Sequence, residues 1–310
     1  MADPGLRVTL RDATLREGRD VPGVAFSPAE RRTIAAALAE AGVPEAEVVA
    51  PSRVREDAEI ARGMRDLPIK LTGLVYANRA AWREDLEPAA TALSRVDLLM
   101  PLSDRREPVG PERKLEVLEG ALAECGGAPA AVGAGLPHAF QVEPGLVLEA
   151  ASRAAAAGAD RITLYDTNGG ADPSTVEDLV RRAVGAAGVP VFFHGHDDLG
   201  LATANAWAAV CGGAAGLDVT VNGLGDRAGN ASLEQLVVLL RLRGCTTDVD
   251  PGSLRGLSEA VARASGVPVS ALAPVVGEYA FAHRSPAHLP EPGEFEAFDP
   301  ALIGRRSREA

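Results

Sequence analysis

Short apolar runs alternate with longer amphipathic stretches rich in Ala, Leu and Arg along most of this chain. Eight runs have the length and composition of buried strands: residues 7–10, 46–49, 70–75, 95–100, 129–132, 161–165, 190–193 and 217–221. Helices are expected to start near Arg53, Asn78, Gly110, Glu143, Asp172, Gly200 and Ala231. Eight strand–helix units predict an α/β fold, a (β/α)8 TIM barrel.

The clearest helix start follows the first strand. Ser27, Pro28 and Glu30 provide an N-cap, a proline at the first helical position and a capping-box glutamate, and Gly42 predicts the end of the helix. After the barrel, residues 253–264 have the pattern of one more amphipathic helix. The rest of the tail is rich in proline and too irregular to bury a core by itself. We therefore predict a catalytic barrel over residues 1–248 and a small helical and irregular C-terminal subdomain over 249–310, which packs on a partner subunit.

The main candidate chemistry is a His-x-His motif at the end of the seventh strand. Alternation along a strand places His194 and His196 on the same side of the barrel mouth, where two imidazoles can bind one divalent metal ion. An isolated pair of this kind is equally compatible with hydrogen-bonded loop histidines. The other strand ends are also polar: Glu17 follows strand one, Glu47 lies in strand two, and Asn230 ends the glycine-rich stretch after strand eight.

These side chains predict a mixed oxygen and nitrogen ligand set. A carboxylate, two imidazoles and an amide oxygen suit Mn, Mg, Zn, Fe or Co and leave positions open for substrate. Each loop also has a structural explanation, because Arg16 with Glu17, and Asp226 with Arg227, could be surface ion pairs. Their occurrence together at one face of the barrel favours a site.

Composition restricts the partners. The formal net charge is −12, and no basic cluster interleaves with aromatic residues, which argues against nucleic acid and against an anionic membrane surface. Three cysteines without metal-ligand spacing fit a reducing cytoplasm. No apolar run is long enough to span a bilayer, so we expect a soluble cytoplasmic protein acting on small molecules.

Three segments carry a resemblance to a known family: T-L-R-E-G at residues 14–18, H-x-H-x-D-x-G-L-A at 194–202, and T-V-N-G-L-G-D-R-A-G-N at 220–230. Together they resemble the homocitrate synthase/isopropylmalate synthase family within the DRE-TIM metallolyases, whose relatives include hydroxymethylglutaryl-CoA lyase. The segment V-G-E-Y-A-F-A-H at 276–283 extends the resemblance into the tail. R-E-G rather than R-D-G after strand one is closest to the homocitrate synthases.

The resemblance implies a metal site and an acceptor site. Glu17, His194 and His196 would bind the divalent metal, with Asn230 as a further ligand or hydrogen-bond donor. Arg16 would lie beside the substrate carbonyl and stabilise the alkoxide, and Thr167 would contact the carboxylate of a 2-oxo acid.

The resemblance also implies a second substrate and a partner chain. Acetyl-CoA is the expected co-substrate, with Asp226 and Arg227 assigned to acyl-CoA binding and Glu47 to the catalytic set. His288 occupies the place of a tail histidine that helps form the enolate in the active site of the other subunit. A homodimer with exchanged C-terminal subdomains is therefore expected.

Two departures from the family pattern affect the substrate. Gln141 stands where the synthases commonly place an arginine that holds the acceptor's distal carboxylate, so the acceptor or its pose is expected to differ. His138 is a candidate additional contact to the acceptor or a hydrogen-bonded loop residue. Phe295 replaces a tyrosine and removes a hydroxyl near the enolate-forming histidine.

The leading hypothesis is a metal-dependent acyltransferase. It would condense acetyl-CoA with a 2-oxo acid such as 2-oxoglutarate, oxaloacetate or a phosphonate analogue, giving a 2-hydroxy-2-carboxymethyl acid. One alternative is a lyase or aldolase that cleaves a C–C bond with the same groups, although the lyases' glycine-rich cysteine loop is missing from this sequence. A third hypothesis is a barrel that binds a metabolite without catalysis.

Overall fold

Eight parallel strands close into a barrel in the computed structural model, which describes residues 5–103 and 109–309. Each strand pairs with the next along the chain, and β1 pairs with β8 to complete the cylinder. The strands are β1 Thr9–Asp12, β2 Glu45–Val49, β3 Lys70–Tyr76, β4 Arg95–Leu99, β5 Ala131–Leu136, β6 Ile162–Asp166, β7 Val191–Gly195 and β8 Gly216–Val219. The predicted (β/α)8 barrel is therefore confirmed.

The helices alternate with these strands, as expected for a (β/α)8 barrel. They are α1 Thr14–Glu17, α2 Pro28–Glu40, α3 Val54–Arg62, α4 Trp82–Ala92, α5 Pro111–Glu124, α6 Pro144–Ala156, α7 Pro173–Ala187, α8 Ala202–Cys211, α9 Leu233–Leu242 and α10 Leu254–Ser265. The single turn α1 was predicted as loop. It follows β1 directly and raises Glu17 over the barrel mouth.

Helix α2 begins and ends as its sequence predicts. The Ser27 hydroxyl accepts a hydrogen bond from the Glu30 amide at 3.2 Å, and the Glu30 carboxylate accepts one from the Ser27 amide at 2.8 Å. Beyond the helix, Gly42 has φ +83°, and a Cβ atom there would lie 2.3 Å from the Asp248 carbonyl oxygen. Only glycine fits this turn, because it combines a left-handed conformation with close backbone contact.

The fifth strand was placed wrongly from the sequence, as residues 129–132 instead of Ala131–Leu136. Its inward positions are glycines, which have low strand propensity and leave no apolar alternation to detect. The structure shows why they are small. A Cβ on Gly133 would lie 2.3 Å from Asp97 Oδ1, and one on Gly135 would lie 2.4 Å from Leu99 Cδ2.

Helix α4 starts at Trp82, four residues later than the predicted start at Asn78. Arg79 explains the delay, because its guanidinium stacks on the Tyr76 ring at 4.5 Å and donates a hydrogen bond to the Pro51 carbonyl at 2.7 Å. These contacts hold the intervening residues in turns above the end of β3.

The tail continues from the barrel through α10, which packs against α2. Beyond α10 the chain is largely irregular, apart from the short parallel pair β9 Ala282–His283 and β10 Arg308–Glu309. The division of the chain at residue 248 stays a prediction. Across the described ranges, none of the helices has both the length and the apolar character needed to cross a bilayer.

Candidate metal and substrate site

A carboxylate and two imidazoles meet at the C-terminal mouth of the barrel. Glu17 Oε1 lies 3.1 Å from His194 Nε2 and 3.9 Å from His196 Nε2, and the two Nε2 atoms are 3.4 Å apart. All three side chains are buried. Strand β7 ends between the histidines, and α1, early in the chain, brings in Glu17. Among the described residues, this is the group of His, Cys, Asp and Glu side chains whose ligand atoms could share one metal ion.

A hydrogen bond behind His194 sets the tautomer that a metal requires. His194 Nδ1 lies 3.0 Å from Asp218 Oδ2, and Asp218 is buried at the centre of β8. A carboxylate at Nδ1 keeps the proton there and turns the Nε2 lone pair toward Glu17 and His196. Sequence reasoning missed Asp218. The signal that could have found it is the period-2 pattern of β8, which points Asp218 inward.

The protonation states also suit a cation. Burial raises the pKa of Glu17, but the charges of Arg16 and His194 lower it by a larger amount. The pKa of Glu17 therefore lies below its ordinary value. Burial and the neighbouring His194 lower the pKa of His196 to about 3. Burial lowers the pKa of His194, whereas Asp218 and Glu17 raise it by more. Glu17 is therefore charged and His196 neutral, which are their ligand forms, and a cation would take the place of the proton that Glu17 favours on His194.

The buried charged groups below the barrel mouth carry an excess of negative charge that a divalent ion would balance. Arg11, fully buried inside the barrel, donates to Asp218 at 2.7 and 2.8 Å and to Asp97 at 2.6 Å, and lies 3.5 Å from Glu47. Arg16 pairs with Glu17 and Glu47. By formal charge, this cluster sets four carboxylates against two guanidinium groups. The excess of two negative charges matches a divalent cation, since buried charges require compensation.

Asn230, predicted as a further ligand or hydrogen-bond donor, lies beside the candidate ligands. Its Nδ2 is 3.2 Å from His194 Nε2, and its Oδ1 is buried without a hydrogen-bond partner. Rotation of the amide would direct that oxygen toward the ligand cluster. The preceding loop is glycine-rich for a steric reason, because a Cβ on Gly225 would lie 1.8 Å from Asn230 Oδ1.

Arg16 has one unpaired guanidinium nitrogen beside the Glu–His–His cluster. Its Nε donates to Glu47 and its Nη1 pairs with Glu17, while its Nη2 is buried without an acceptor. Two carboxylates therefore fix the plane of the guanidinium and leave Nη2, with its two N–H groups, as a donor for ligand oxygens. Such preorganised donors are the groups that stabilise developing negative charge.

Tyr165 is a second polar residue that the sequence did not reveal. Its hydroxyl is buried without a partner, and its ring lies 4.7 Å from the His194 ring, centroid to centroid. Burial, reinforced by Glu47, raises the pKa of this hydroxyl well above its ordinary value, so the group is a neutral donor. Gly135 leaves space for the ring, because a Cβ there would lie 3.0 Å from Tyr165.

The predicted acceptor contacts lie together in the loops after β5 and β6. The Thr167 hydroxyl accepts a hydrogen bond from the His138 amide at 2.8 Å, and His138 has a left-handed backbone with φ +64°. Gln141 Nε2 donates to Asp166 at 3.1 Å and to Asn168 at 2.9 Å. Thr167 keeps its own hydroxyl hydrogen for a ligand, whereas both donors of the Gln141 amide face protein oxygens.

The predicted acyl-CoA residues connect three loops. Arg227 donates to Asp198 at 2.7 and 2.8 Å, pairs with Asp226 at 2.6 Å and donates to the Thr167 carbonyl at 3.0 Å. The loops after β6, β7 and β8 are thereby held together at the rim. His288, the predicted enolate-forming base, lies in the C-terminal tail, where it contacts His283 and Phe295.

Comparisons with known proteins give the family of the chain and support its fold. Residues 7–261 match the family model described as HMGL-like. The homocitrate synthase of Frankia alni is 36% identical over 96% of this chain and 88% of its own length. The 2-isopropylmalate synthase 2 of Caldanaerobacter subterraneus is 34% identical over 96% of this chain and 79% of its own length. Among solved structures, the HMG-CoA lyase of Bacillus subtilis superposes with a TM-score of 0.75 at 21% identity, over 86% of this chain and 96% of that one.

The fold and the buried Glu–His–His cluster define the class, a (β/α)8-barrel enzyme with its polar site at the C-terminal ends of the strands. Within that class, the chain belongs to the HMGL-like family. The resemblance drawn from residues 14–18, 194–202 and 220–230 is thereby confirmed.

Proposed function

We propose that this protein catalyses a metal-dependent Claisen condensation of acetyl-CoA with a 2-oxo acid, giving a 2-hydroxy-2-carboxymethyl acid. The supporting observation is the unpaired Nη2 of Arg16 beside the Glu17–His194–His196 cluster. The names of the relatives, homocitrate synthase and 2-isopropylmalate synthase, support the same reaction class.

Glu17, His194 and His196 would hold the divalent metal, with Asn230 as the adjacent oxygen donor. The bound ion would act as a Lewis acid toward the 2-oxo acid. A ligand set of one carboxylate and two imidazoles accepts Mn, Mg, Zn, Fe or Co, and metal analysis of the purified protein identifies the ion.

The chain's own groups provide charge stabilisation and orientation. As the enolate carbon of acetyl-CoA bonds to the keto carbon, the carbonyl electron pair moves to oxygen, and Arg16 Nη2, which has no acceptor within the protein, would donate to that oxygen. Glu47 orients Arg16 through its Nε. The Thr167 hydroxyl contacts the acceptor carboxylate. Hydrolysis of the thioester then releases the free thiol of CoA and makes the condensation irreversible.

Acetyl-CoA is proposed to contact residues at the rim of the barrel and a histidine from a second subunit. Asp226 and Arg227, which join three loops, are proposed to contact acyl-CoA. His288 is proposed to remove the methyl proton of acetyl-CoA in the site of a partner subunit, so the enzyme would work as a homodimer with exchanged tails. Within one chain, His288 contacts other tail residues, His283 and Phe295.

The candidate acceptor substrates are 2-oxo acids. The two relatives are named for different products, so family membership alone does not select 2-oxoglutarate. Gln141 offers no cation for a distal carboxylate, and its amide already donates to Asp166 and Asn168. We therefore include oxaloacetate and a phosphonate analogue of it with 2-oxoglutarate, and His138 as a candidate contact to the acceptor.

The test is a thiol-release assay. Purified protein is incubated with acetyl-CoA, Mn²⁺ or Mg²⁺ and a panel of 2-oxo acids, and released CoA is followed with a thiol reagent. Activity with at least one acceptor is expected, with a loss of about 10²-fold or more in kcat for Arg16→Lys, since a preorganised donor to an oxyanion contributes on that order. Arg32→Ala is the matched control, because Arg32 is an exposed arginine that pairs with Asp66 on the surface. No thiol release across the panel would refute the proposal.

C–C bond cleavage is tested in the same preparation with 3-hydroxyacyl thioesters and product analysis by mass spectrometry. The cysteines argue against a lyase. Cys211 ends α8 and Cys245 follows α9, so neither lies in the glycine-rich loop beside Asn230. Cleavage without condensation would replace the proposed reaction by its alternative.

A further inference from the structure

Three polar side chains of the tail form a continuous hydrogen-bonded chain. Glu296 Oε1 lies 3.0 Å from His283 Nε2, and His283 Nδ1 lies 3.3 Å from His288 Nδ1. The side chains of Glu296 and His283 are 5% and 10% exposed. Burial of a carboxylate and an imidazole is costly unless they are hydrogen-bonded, and here each satisfies the other.

The order of atoms along this chain determines where the protons are. The Glu296 carboxylate can only accept, so His283 Nε2 must carry the proton between them. In neutral His283 the other nitrogen, Nδ1, is then an acceptor, and it faces His288 Nδ1. His288 must therefore donate from Nδ1, which leaves its Nε2 with a free lone pair.

The ring plane of His288 is fixed as well. Phe295 stacks on it with centroids 3.9 Å apart and an interplanar angle of 14°. Stacking on one face and a hydrogen bond at Nδ1 restrict both the tilt and the rotation of the imidazole. Nε2 is the ring nitrogen left to meet a ligand.

We propose that Glu296 and His283 are positioning residues that hold His288 in the Nδ1–H tautomer, with Nε2 presented as a proton acceptor. The arrangement follows the logic of a catalytic triad, in which a carboxylate selects the tautomer of a base, extended by one imidazole. This inference rests on the proposed role of His288 as the base that deprotonates acetyl-CoA. Phe295 has no hydroxyl, but its ring packs on His288 and holds the imidazole plane.

The first experiment reads the tautomer directly. The chain has five histidines, so nitrogen-15 NMR of a deuterated, histidine-labelled full-length protein resolves each ring, and His288→Gln assigns the signal. Neutral His288 is expected to be protonated at Nδ1 in the wild type. His283→Leu and Glu296→Ala should shift His288 to the Nε2–H tautomer. His283→Asn should preserve the wild-type form, because its amide oxygen replaces Nδ1 as an acceptor.

The second experiment measures the consequence for condensation. His283→Leu should lower kcat by at least about tenfold, since general-base catalysis is worth that much or more, with KM for the 2-oxo acid unchanged and kcat restored in His283→Asn. An Nε2–H tautomer in the wild type, or an unchanged tautomer or kcat in His283→Leu, would overturn the inference. A wild-type protein that releases no thiol would instead refute the proposed function, while the NMR result would still decide the tautomer.

Discussion

Replacement of Asp218 by Asn is the sharpest test of the metal site, because one carboxylate serves both His194 and Arg11. Its Oδ2 accepts from His194 Nδ1 at 3.0 Å and from Arg11 at 2.8 Å, and its Oδ1 accepts from Arg11 at 2.7 Å. The Asn variant has only one acceptor oxygen. If that oxygen stays with His194, the amide N–H₂ faces the Arg11 donor. If the amide turns, His194 loses the acceptor that holds its Nε2 lone pair toward the metal.

In the Asp218→Asn variant, each orientation of the amide lowers either metal affinity or stability by an amount that can be estimated. Loss of the carboxylate behind a metal-bound imidazole typically weakens metal binding by about 10 to 100-fold, which corresponds to roughly 1.4 to 2.7 kcal/mol. Arg11 is fully buried and keeps Asp97 and Glu47, but loses its bidentate partner. Breaking a buried ion pair typically lowers the free energy of unfolding by about 3 to 5 kcal/mol. Because Arg11 keeps Asp97 and Glu47 as acceptors, we expect a loss of about 3 kcal/mol for Asp218→Asn.

Two measurements separate these effects. Competition with a chelating dye at neutral pH gives the metal affinity, and chemical denaturation of the metal-free protein gives the free energy of unfolding. Asp160→Asn is the matched control, since Asp160 also pairs with an arginine, Arg95, but is half-exposed. It should leave metal affinity unchanged and alter stability by about 0 to 1 kcal/mol. An Asp218→Asn variant that binds metal as tightly as the wild type would refute the tautomer argument for His194.

Three further predictions concern the ligands, a buried acid and a helix cap. Glu17→Gln and His196→Ala should each abolish stoichiometric metal binding while circular dichroism stays unchanged, and full metal content in both variants, measured by mass spectrometry, would contradict the ligand assignment. Burial raises the pKa of Asp12 to about 7, so its contribution to stability is complete below pH 4 and is lost as the pH rises toward 7. Relative to Asp12→Asn, the wild type should therefore lose about 1 kcal/mol of unfolding free energy per pH unit between pH 5 and 7, and parallel pH profiles would show that Asp12 is not protonated. Ser27→Ala should cost about 1 kcal/mol in denaturant unfolding through loss of the α2 cap, whereas Ser27→Asp should retain stability, and equal stability of both variants would argue against the capping box.

The order of strands and helices could be predicted from local pattern. Apolar runs, proline and glycine positions and the capping box around Ser27 act over a few residues, so their consequences are visible in a single stretch of sequence. The same holds for His194 and His196, which the period of one strand places on one side. Two strands begin two residues later than predicted: β1 begins at Thr9, and β5, whose inward residues are glycines, begins at Ala131 and extends to Leu136.

The sequence by itself determined that a barrel forms and that two imidazoles face its mouth. Only the tertiary structure decided which acids and bases join them: Asp218 behind His194, Arg11 between Asp97 and Asp218, and Tyr165 over Gly135. Arg11 and Asp218 are 207 positions apart in the chain and 2.7 Å apart in space. Closure of β1 against β8 creates that contact. Electrostatic partners inside a barrel depend on distance through space, and local sequence patterns carry information only about neighbours along the chain.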